Sequence, residues 1–321
     1  MITLGIEGTA HTVGIGIVTD EGDILANVAS SYVPDEGIHP REAANHHADT
    51  VSSLISTALK EANITKEDID VVAFSQGPGL GPCLRTAATA ARSLSLRLNV
   101  PLVGVNHCIA HLEIGKVRTE AVDPVLLYAS GGNTQVIAFS RGRYRVFGET
   151  LDIGLGNMLD KFGREKGMSF PAGPTIETKA KKGNNLIDLP YSVKGMDLSF
   201  SGIMTAALNS RAELNDLCYS IQETTFAMLI EVTERALAHT RKEEVLLGGG
   251  VTRNKRLQEM GKVMAEERGA SLYVPDGELC IDNGVMIAWN GWLMYEAGMS
   301  IDVKESGIKQ GYRTDDVDVK W

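Results

Sequence analysis

"VLLYASGGNTQVIAFSRGRYRVFGET", residues 125–150, holds three short apolar runs separated by two polar turns, "SGGNT" (130–134) and "RGR" (141–143). Short runs rich in Val, Ile, Leu and aromatic residues, parted by tight Gly-containing turns, read as an antiparallel meander. The expected strands are 125–129, 135–139 and 144–150. The same arrangement opens the chain. "ITLGIE" (2–7) is followed by the turn "GTAHT", and then by "VGIGIVT" (13–19) and "ILANVA" (24–29), joined by "DEGD".

Outward from each trio, helices alternate with strands. After the first come a helix at 42–62, a strand at 70–75 and the Gly/Pro loop "QGPGLGP" (76–82). A helix at 84–98 and the strand "PLVGV" (101–105) follow. In the first of these helices Val51, Leu54, Ile55, Ala58 and Leu59 recur at helical spacing. After the second trio the chain predicts helices at 156–167 and 173–182, an irregular region at 184–202 and a helix at 216–240. "EVLLGGGVTRN" (244–254) reads as a strand, a glycine turn and a helix start. A strand at 270–275 and a helix at 283–297 complete the pattern. The expected fold class is therefore α/β, with two related lobes, 1–115 and 116–321. The second lobe carries an inserted helical and irregular segment, 156–215, and the last helix is free to return to the first lobe. This layout resembles the actin, sugar-kinase and heat-shock-chaperone ATPase superfold, in which each lobe offers a hairpin turn to the phosphates of a nucleotide in a cleft between them. A likeness of fold does not fix function.

A chain of 321 residues exceeds one ordinary core, in keeping with two lobes. With 43% apolar and 22% charged residues it is expected to be globular. No apolar run is long enough for a membrane span, and the N-terminus lacks the pattern of a signal peptide. Cys83, Cys108, Cys218 and Cys280 are scattered without a C-x-x-C, which suits free thiols in a reducing cytoplasm. The net charge of −10 disfavours a protein that grips nucleic acid unaided.

Chemistry is concentrated in a few stretches. "EGTAHT" (7–12) and "SGGNT" are small-residue turns whose N–H groups can nest a phosphate. "GPGLGP" (77–82) fits neither the dinucleotide fingerprint nor the P-loop. In "LLGGGVTRNKRL" (246–257) the glycines let a flat ring approach the backbone, and Asn254 caps the following helix or bonds a ribose or base. "GVNHCIAHLEIG" (104–115) carries His107 and His111. On a helix these lie one turn apart on one face and can share a metal. The protease signature H-E-x-x-H has glutamate after the first histidine, whereas here the residue is Cys108. The best distant third ligand is Asp282 in "LCIDNGVMIAW", a position that also suits a helix cap. Two imidazoles and one carboxylate suit Fe(II) or Zn(II). Glu7, Asp160, Glu177 and Asp197 are further acidic candidates without a role fixed by the pattern.

Taken in order, "IEGTAHT", "GPGLGPCLR", "VNHCIAH", "YASGGNTQV", "DIGLGNMLDKFGRE", "SFSGI", "GGGVTRNKRL" and "CIDNGVMIAW" span nearly the whole chain. Together they resemble the tRNA N6-adenosine threonylcarbamoyltransferase family. The "EGTAHT" form is similar to its archaeal and eukaryotic branch, the catalytic subunit of the KEOPS complex. The resemblance implies transfer of threonylcarbamoyl from threonylcarbamoyl-AMP to N6 of the adenosine 3′ of the anticodon. It implies one divalent metal, Fe(2+) foremost and Zn(2+) second, on His107, His111 and Asp282 with Tyr128 close by. Tyr128, Ala129, Ser130, Gly131, Gly132 and Asn133 would meet the phosphate and carbamoyl end of an acyl-adenylate or ATP. Asp160, Gly173, Glu177 and Asn254 would line the nucleoside pocket. One departure is "FPAGP" (170–174), where the family usually has two glycines; Ala172 fits if its φ is negative.

The implied partners are tRNA, a small kinase-like ATPase, a dimerising subunit and an accessory subunit, in the cytoplasm and with no membrane. In some archaea the kinase is fused to the catalytic chain. Lys179, Lys181 and Lys182 are a local basic run, either a solvated helix face or an RNA contact. Two rivals share parts of the pattern: an ATP-driven kinase or chaperone of the same superfold, and a metalloprotease, against which Cys108 argues.

Overall fold

The computed structural model describes residues 1–34 and 37–321. By contacts the chain forms two units, residues 1–118 with 282–321, and residues 119–281.

In the first unit β1 (Ile2–Glu7), β2 (Thr12–Thr19) and β3 (Ile24–Ser31) form the expected meander. They are followed by α1 (Pro40–Glu61), β4 (Val71–Gly77), α2 (Gly81–Leu98), β5 (Leu102–Asn106) and α3 (His107–Arg118). The strand order is β3-β2-β1-β4-β5, with β4 and β5 added in parallel. In the second unit β6 (Val125–Ala129), β7 (Thr134–Ser140) and β8 (Arg143–Glu149) form the second meander. Next come α4 (Leu155–Glu165), α5 (Gly173–Ala180), the short strands β9 (Val193–Lys194) and β10 (Asp197–Leu198), α6 (Ser201–Asn209) and α7 (Leu214–Thr240). β11 (Glu244–Gly248), α8 (Lys255–Glu267), β12 (Ser271–Tyr273) and α9 (Gly277–Cys280) complete that unit. Its sheet runs β12-β11-β6-β7-β8, so the two sheets have the same topology. α10 (Gly284–Glu296) belongs to the first unit.

The first sheet is covered on both faces, and β1 and β2 are buried almost throughout. Strand alternation sorts the side chains. Leu4, Ile6, Ile15 and Ile17 join a core with Ala58 of α1 and with Ala87, Ala88 and Ala91 of α2. Gly5 and Gly16 point the other way, toward α10. A Cβ on Gly16 would lie 2.1 Å from the Val285 nitrogen, and one on Gly284 would lie 2.0 Å from the Gly16 nitrogen. Helix and sheet backbones touch there, which only glycine permits.

The sequence reading placed 116–321 in one lobe, apart from a last helix that could return. In the structure the entire stretch from Asp282 to Trp321 returns. The glycine seats on β1 and β2 hold α10. Beyond it, Ile301 bridges to Leu102, and the Lys309 nitrogen donates to the Gln76 carbonyl (2.8 Å). Elsewhere the expected helices and strands stand within a few residues of their predicted bounds. Within the 156–215 segment the sequence reading drew no helix at α6. No helix among the described residues is long and apolar enough to cross a membrane.

Candidate metal centre

β5 ends at Asn106 and α3 starts at the next residue. The Asn106 carboxamide oxygen accepts from the amides of Cys108 (3.0 Å) and Ile109 (3.2 Å), closing the helix N-terminus. Its Nδ2 donates to the Tyr312 carbonyl (3.1 Å), tying the helix start to the returning segment. Every residue of α3 from His107 to Gly115 is buried. With no solvent face the helix shows no amphipathic stripe, and only the i,i+4 histidine pair marks it in the sequence.

His107 and His111 project from the first two turns with ring centroids 4.9 Å apart and planes at 85°. They are 3% and 2% exposed. Asp282 stands two residues before α10, and its Oδ1 lies 3.4 Å from His107 Nε2 and 3.5 Å from His111 Nε2. Asn283, not Asp282, caps α10, accepting from the Met286 amide (2.9 Å). The carboxylate of Asp282 is thereby left facing the two imidazoles. All three ligand atoms lie within 4.8 Å of one another. All three residues belong to the first unit, so Asp282 does not come from the second lobe to which the sequence reading assigned it.

The electrostatics agree with a cation site. Burial by itself would raise the Asp282 carboxyl, but the charge and hydrogen bond of His107, with help from His111, hold it well below the usual carboxylate range. Burial lowers His111, favouring the neutral imidazole that a metal requires. A bound cation takes the place of the Nε2 protons facing Asp282, and two imidazoles with one ionised carboxylate fit a divalent ion of the Fe(II) or Zn(II) kind. Cys108 contributes nothing to this chemistry: it is 1% exposed, and burial pushes its thiol up to about 11.

Two neighbours escaped a sequence assignment. Glu7, at the end of β1, is wholly buried and lies 3.1 Å from His107 Nδ1. Thr9 donates to Glu7 Oε1 from both its amide (2.8 Å) and its hydroxyl (2.5 Å). Strand parity gives the signal for Glu7, because it shares the Gly5 face of β1.

The remaining candidates lie in the second unit. Tyr128 and Ala129 close β6, both fully buried. The turn after them is set by α4. The Gly156 and Asn157 amides donate to the carbonyls of Ser130 (3.0 Å) and Gly131 (2.8 Å). A Cβ on Gly154 would come 2.5 Å from the Gly131 oxygen, which accounts for the glycines of "DIGLGN". The exposed amides of Gly131 and Gly132 donate to no acceptor among the described residues. Asp160 accepts from the Ala172 amide (2.7 Å), joining α4 to the start of α5 at Gly173. Ala172 has φ −79°, and its methyl sits where a Cβ on Gly163 would be, 2.2 Å away. The alanine is accommodated by the glycine opposite. Glu177 accepts from the Lys255 amide (3.3 Å) and pairs with Lys181 (3.3 Å). Asn254 caps α8 through the Arg256 (2.9 Å) and Leu257 (3.4 Å) amides, while its Nδ2 donates to Gln222 (3.0 Å). Gln222, 5% exposed, is a member of this group that the sequence left unmarked. Asp197 accepts from the Glu149 amide (3.0 Å), a structural tie between β10 and β8.

The model of the tRNA N6-adenosine threonylcarbamoyltransferase family matches residues 23–289. The chain belongs to that family. A tRNA N6-adenosine threonylcarbamoyltransferase of Thermococcus sibiricus is 58% identical, covering 100% of both chains. A Methanobrevibacter smithii protein named "Probable bifunctional tRNA threonylcarbamoyladenosine biosynthesis protein" is 57% identical, over 100% of this chain and 60% of its own length. Among solved structures, HypF of T. kodakarensis has a TM-score of 0.63 at 16% identity, over 93% of this chain and 48% of its own. That likeness speaks to fold alone and agrees with the superfold expected from the repeated meander. Membership in the threonylcarbamoyltransferase family makes the chain an acyltransferase of tRNA modification, and supports neither a kinase or chaperone nor a protease.

Proposed function

We propose that the chain transfers threonylcarbamoyl from threonylcarbamoyl-AMP to N6 of the adenosine 3′ of the anticodon, in tRNAs that read codons beginning with A. The observation that carries the reading is the convergence of His107, His111 and Asp282 in a member of this family. The carbonyl of an acyl-adenylate is already activated by its AMP leaving group. The site therefore has to place an amine and polarise a carbonyl, not ionise a water. The buried, protonated Cys108 at the position of the protease glutamate is consistent with that.

A divalent ion on His107, His111 and Asp282, Fe(2+) foremost and Zn(2+) second, supplies Lewis-acid polarisation and an oxygen template when bound. Tyr128 is proposed to stand beside the ion. The chain's own groups do the positioning. Ser130, Gly131, Gly132 and Asn133 offer donors to the phosphate and carbamoyl oxygens, with Ala129 leading into the turn. Asp160, Gly173, Glu177 and Asn254 line the pocket for the nucleoside of the adenylate or of ATP. Holding amine and carbonyl in line contributes several kcal/mol to the rate.

With a net charge of −10, the chain is proposed to reach tRNA together with partner subunits of the KEOPS kind, in the cytoplasm. These are a small kinase-like ATPase, a dimerising subunit and an accessory subunit.

The test incubates metal-loaded chain and these subunits with tRNA, threonine, bicarbonate, ATP and the adenylate-forming enzyme. The tRNA is digested to nucleosides and read by mass spectrometry. Threonylcarbamoyladenosine that depends on this chain is expected. None forming, or an equal yield without the chain, would overturn the proposal. The role of Asn254 is separable from its capping. Asn254→Ala loses the cap and about 1 kcal/mol of stability, whereas Asn254→Ser keeps the cap. Beyond a modest Tm loss from the broken bond to Gln222, the serine variant should raise the KM for the adenylate roughly tenfold, about the worth of one lost hydrogen bond. An unchanged KM would confine Asn254 to capping.

A further inference from the structure

We infer that Glu7 is a positioning residue of the metal centre, fixing His107 in the tautomer whose Nε2 lone pair faces the ion. This rests on the metal reading of His107, His111 and Asp282.

The argument starts from what each atom around Glu7 can do. The Thr9 backbone N–H is a donor only, and it is committed to Oε1 (2.8 Å). The Thr9 hydroxyl approaches the same oxygen (2.5 Å). The second oxygen, Oε2, faces His107 Nδ1 at 3.1 Å. A carboxylate oxygen only accepts, so Nδ1 must carry the proton. With Nδ1 held protonated by Glu7, Nε2, on the far side of the ring and 3.4 Å from Asp282, is the nitrogen whose lone pair can be offered to a cation. A carboxylate behind a ligating imidazole orients the ring and raises its basicity. Glu7 is 0% exposed and His107 3%, so water does not compete for either atom. Among the described residues, the polar contacts of Glu7's carboxylate are those to Thr9 and His107. The Gly8 amide is taken by Ser75 (3.0 Å), which fixes the turn that carries Thr9.

The near-isosteric Glu7→Gln substitution gives a sharp consequence. The donor-only Thr9 amide keeps the new carboxamide oxygen at the Oε1 position. The NH2 group must then point at His107 Nδ1. That nitrogen becomes the acceptor, the ring proton moves to Nε2, and Nε2 can no longer ligate. One proton changes sides and nothing else in the packing is altered.

The experiment titrates Co(II) into wild-type, Glu7→Gln and His107→Ala protein against a competing chelator, and records the cobalt absorption bands. Glu7→Gln should bind Co(II) 10–100-fold more weakly, with shifted bands, while its metal-free circular dichroism matches wild type. Binding within twofold of wild type with unchanged bands overturns the role of Glu7. If His107→Ala also binds like wild type, the metal reading itself has failed, and the two failures are thus told apart. A second measurement needs no variant. In Zn(II)-loaded wild type with 15N-labelled histidine, His107 should show an exchange-protected Nδ1–H and a metal-shifted Nε2. A proton on Nε2 overturns the inference even if the glutamine variant does not fold.

Discussion

Metal-treated protein in which His107 and His111 are both alanine is expected to contain no stoichiometric divalent ion and to modify tRNA about 10³-fold more slowly. The size follows from the several kcal/mol that a Lewis acid contributes to a polarised carbonyl, at about 1.4 kcal/mol per tenfold in rate. Both rings are almost wholly buried and face one carboxylate oxygen, so little else in the first unit can replace them. Their loss leaves the part-buried Asp282 without its compensating partners. Its carboxyl, now governed by burial alone, should move up from well below the ordinary range. The check is elemental analysis of the purified variant beside nucleoside mass spectrometry, with circular dichroism to show the fold is retained. A variant that keeps its rate while losing its metal would remove the ion from the chemistry. One that keeps both would remove the histidines.

The second large effect lies away from the ligands. Gly16→Ala and Gly284→Ala each add one methyl group where backbone meets backbone, at 2.1 Å and 2.0 Å. On propensity alone, alanine in the helix would gain up to about 1 kcal/mol. Neither main chain can yield as a flexible side chain would, so overpacking wins. About 3 kcal/mol or more is expected to be lost at either site. For a unit of this size, that corresponds to about 6–12 °C in Tm. Because Asp282 enters only two residues before α10, a helix pushed outward carries the carboxylate away from the imidazoles. Thermal unfolding and metal content should therefore fall together. A variant with normal Tm and full metal would show that the helix has another seat.

Both meanders were legible from their apolar runs and glycine turns because sheet patterning is local. "VGIGIVT" read as a strand, but why alternate positions are glycine could not be read there. The reason lies in Gly284 and Val285, nearly 270 residues away. For the same reason the boundary was drawn at 115 with only a last helix free to return, whereas the whole of 282–321 goes back to the first unit. The histidine pair and Asp282 could be named as candidates from spacing and residue type. Which of Asp282 and Asn283 caps α10 could not, since either suits an N-cap, and the structure gives that task to Asn283. Glu7 was visible only as one of four acidic candidates without a role. Its meaning depends on a contact with a residue a hundred positions later. In the second unit, Asn254 was rightly suspected as a cap because capping is written in adjacent residues, whereas its bond to Gln222 is not.

The return of the C-terminal stretch also sets an order of events during synthesis. Roughly 170 residues lie between His111 and Asp282, so at ribosomal speeds of about 5–20 residues per second, some 10–35 s pass before the third ligand exists. During that interval the residues of the second unit, 119–281, are contiguous and complete, while the sheet of the first still lacks the helix that seats on Gly5 and Gly16. The first unit, although it opens the chain, is thus the last to mature, and a nascent chain stalled before Asp282 can present two histidines but cannot close the cage around an ion.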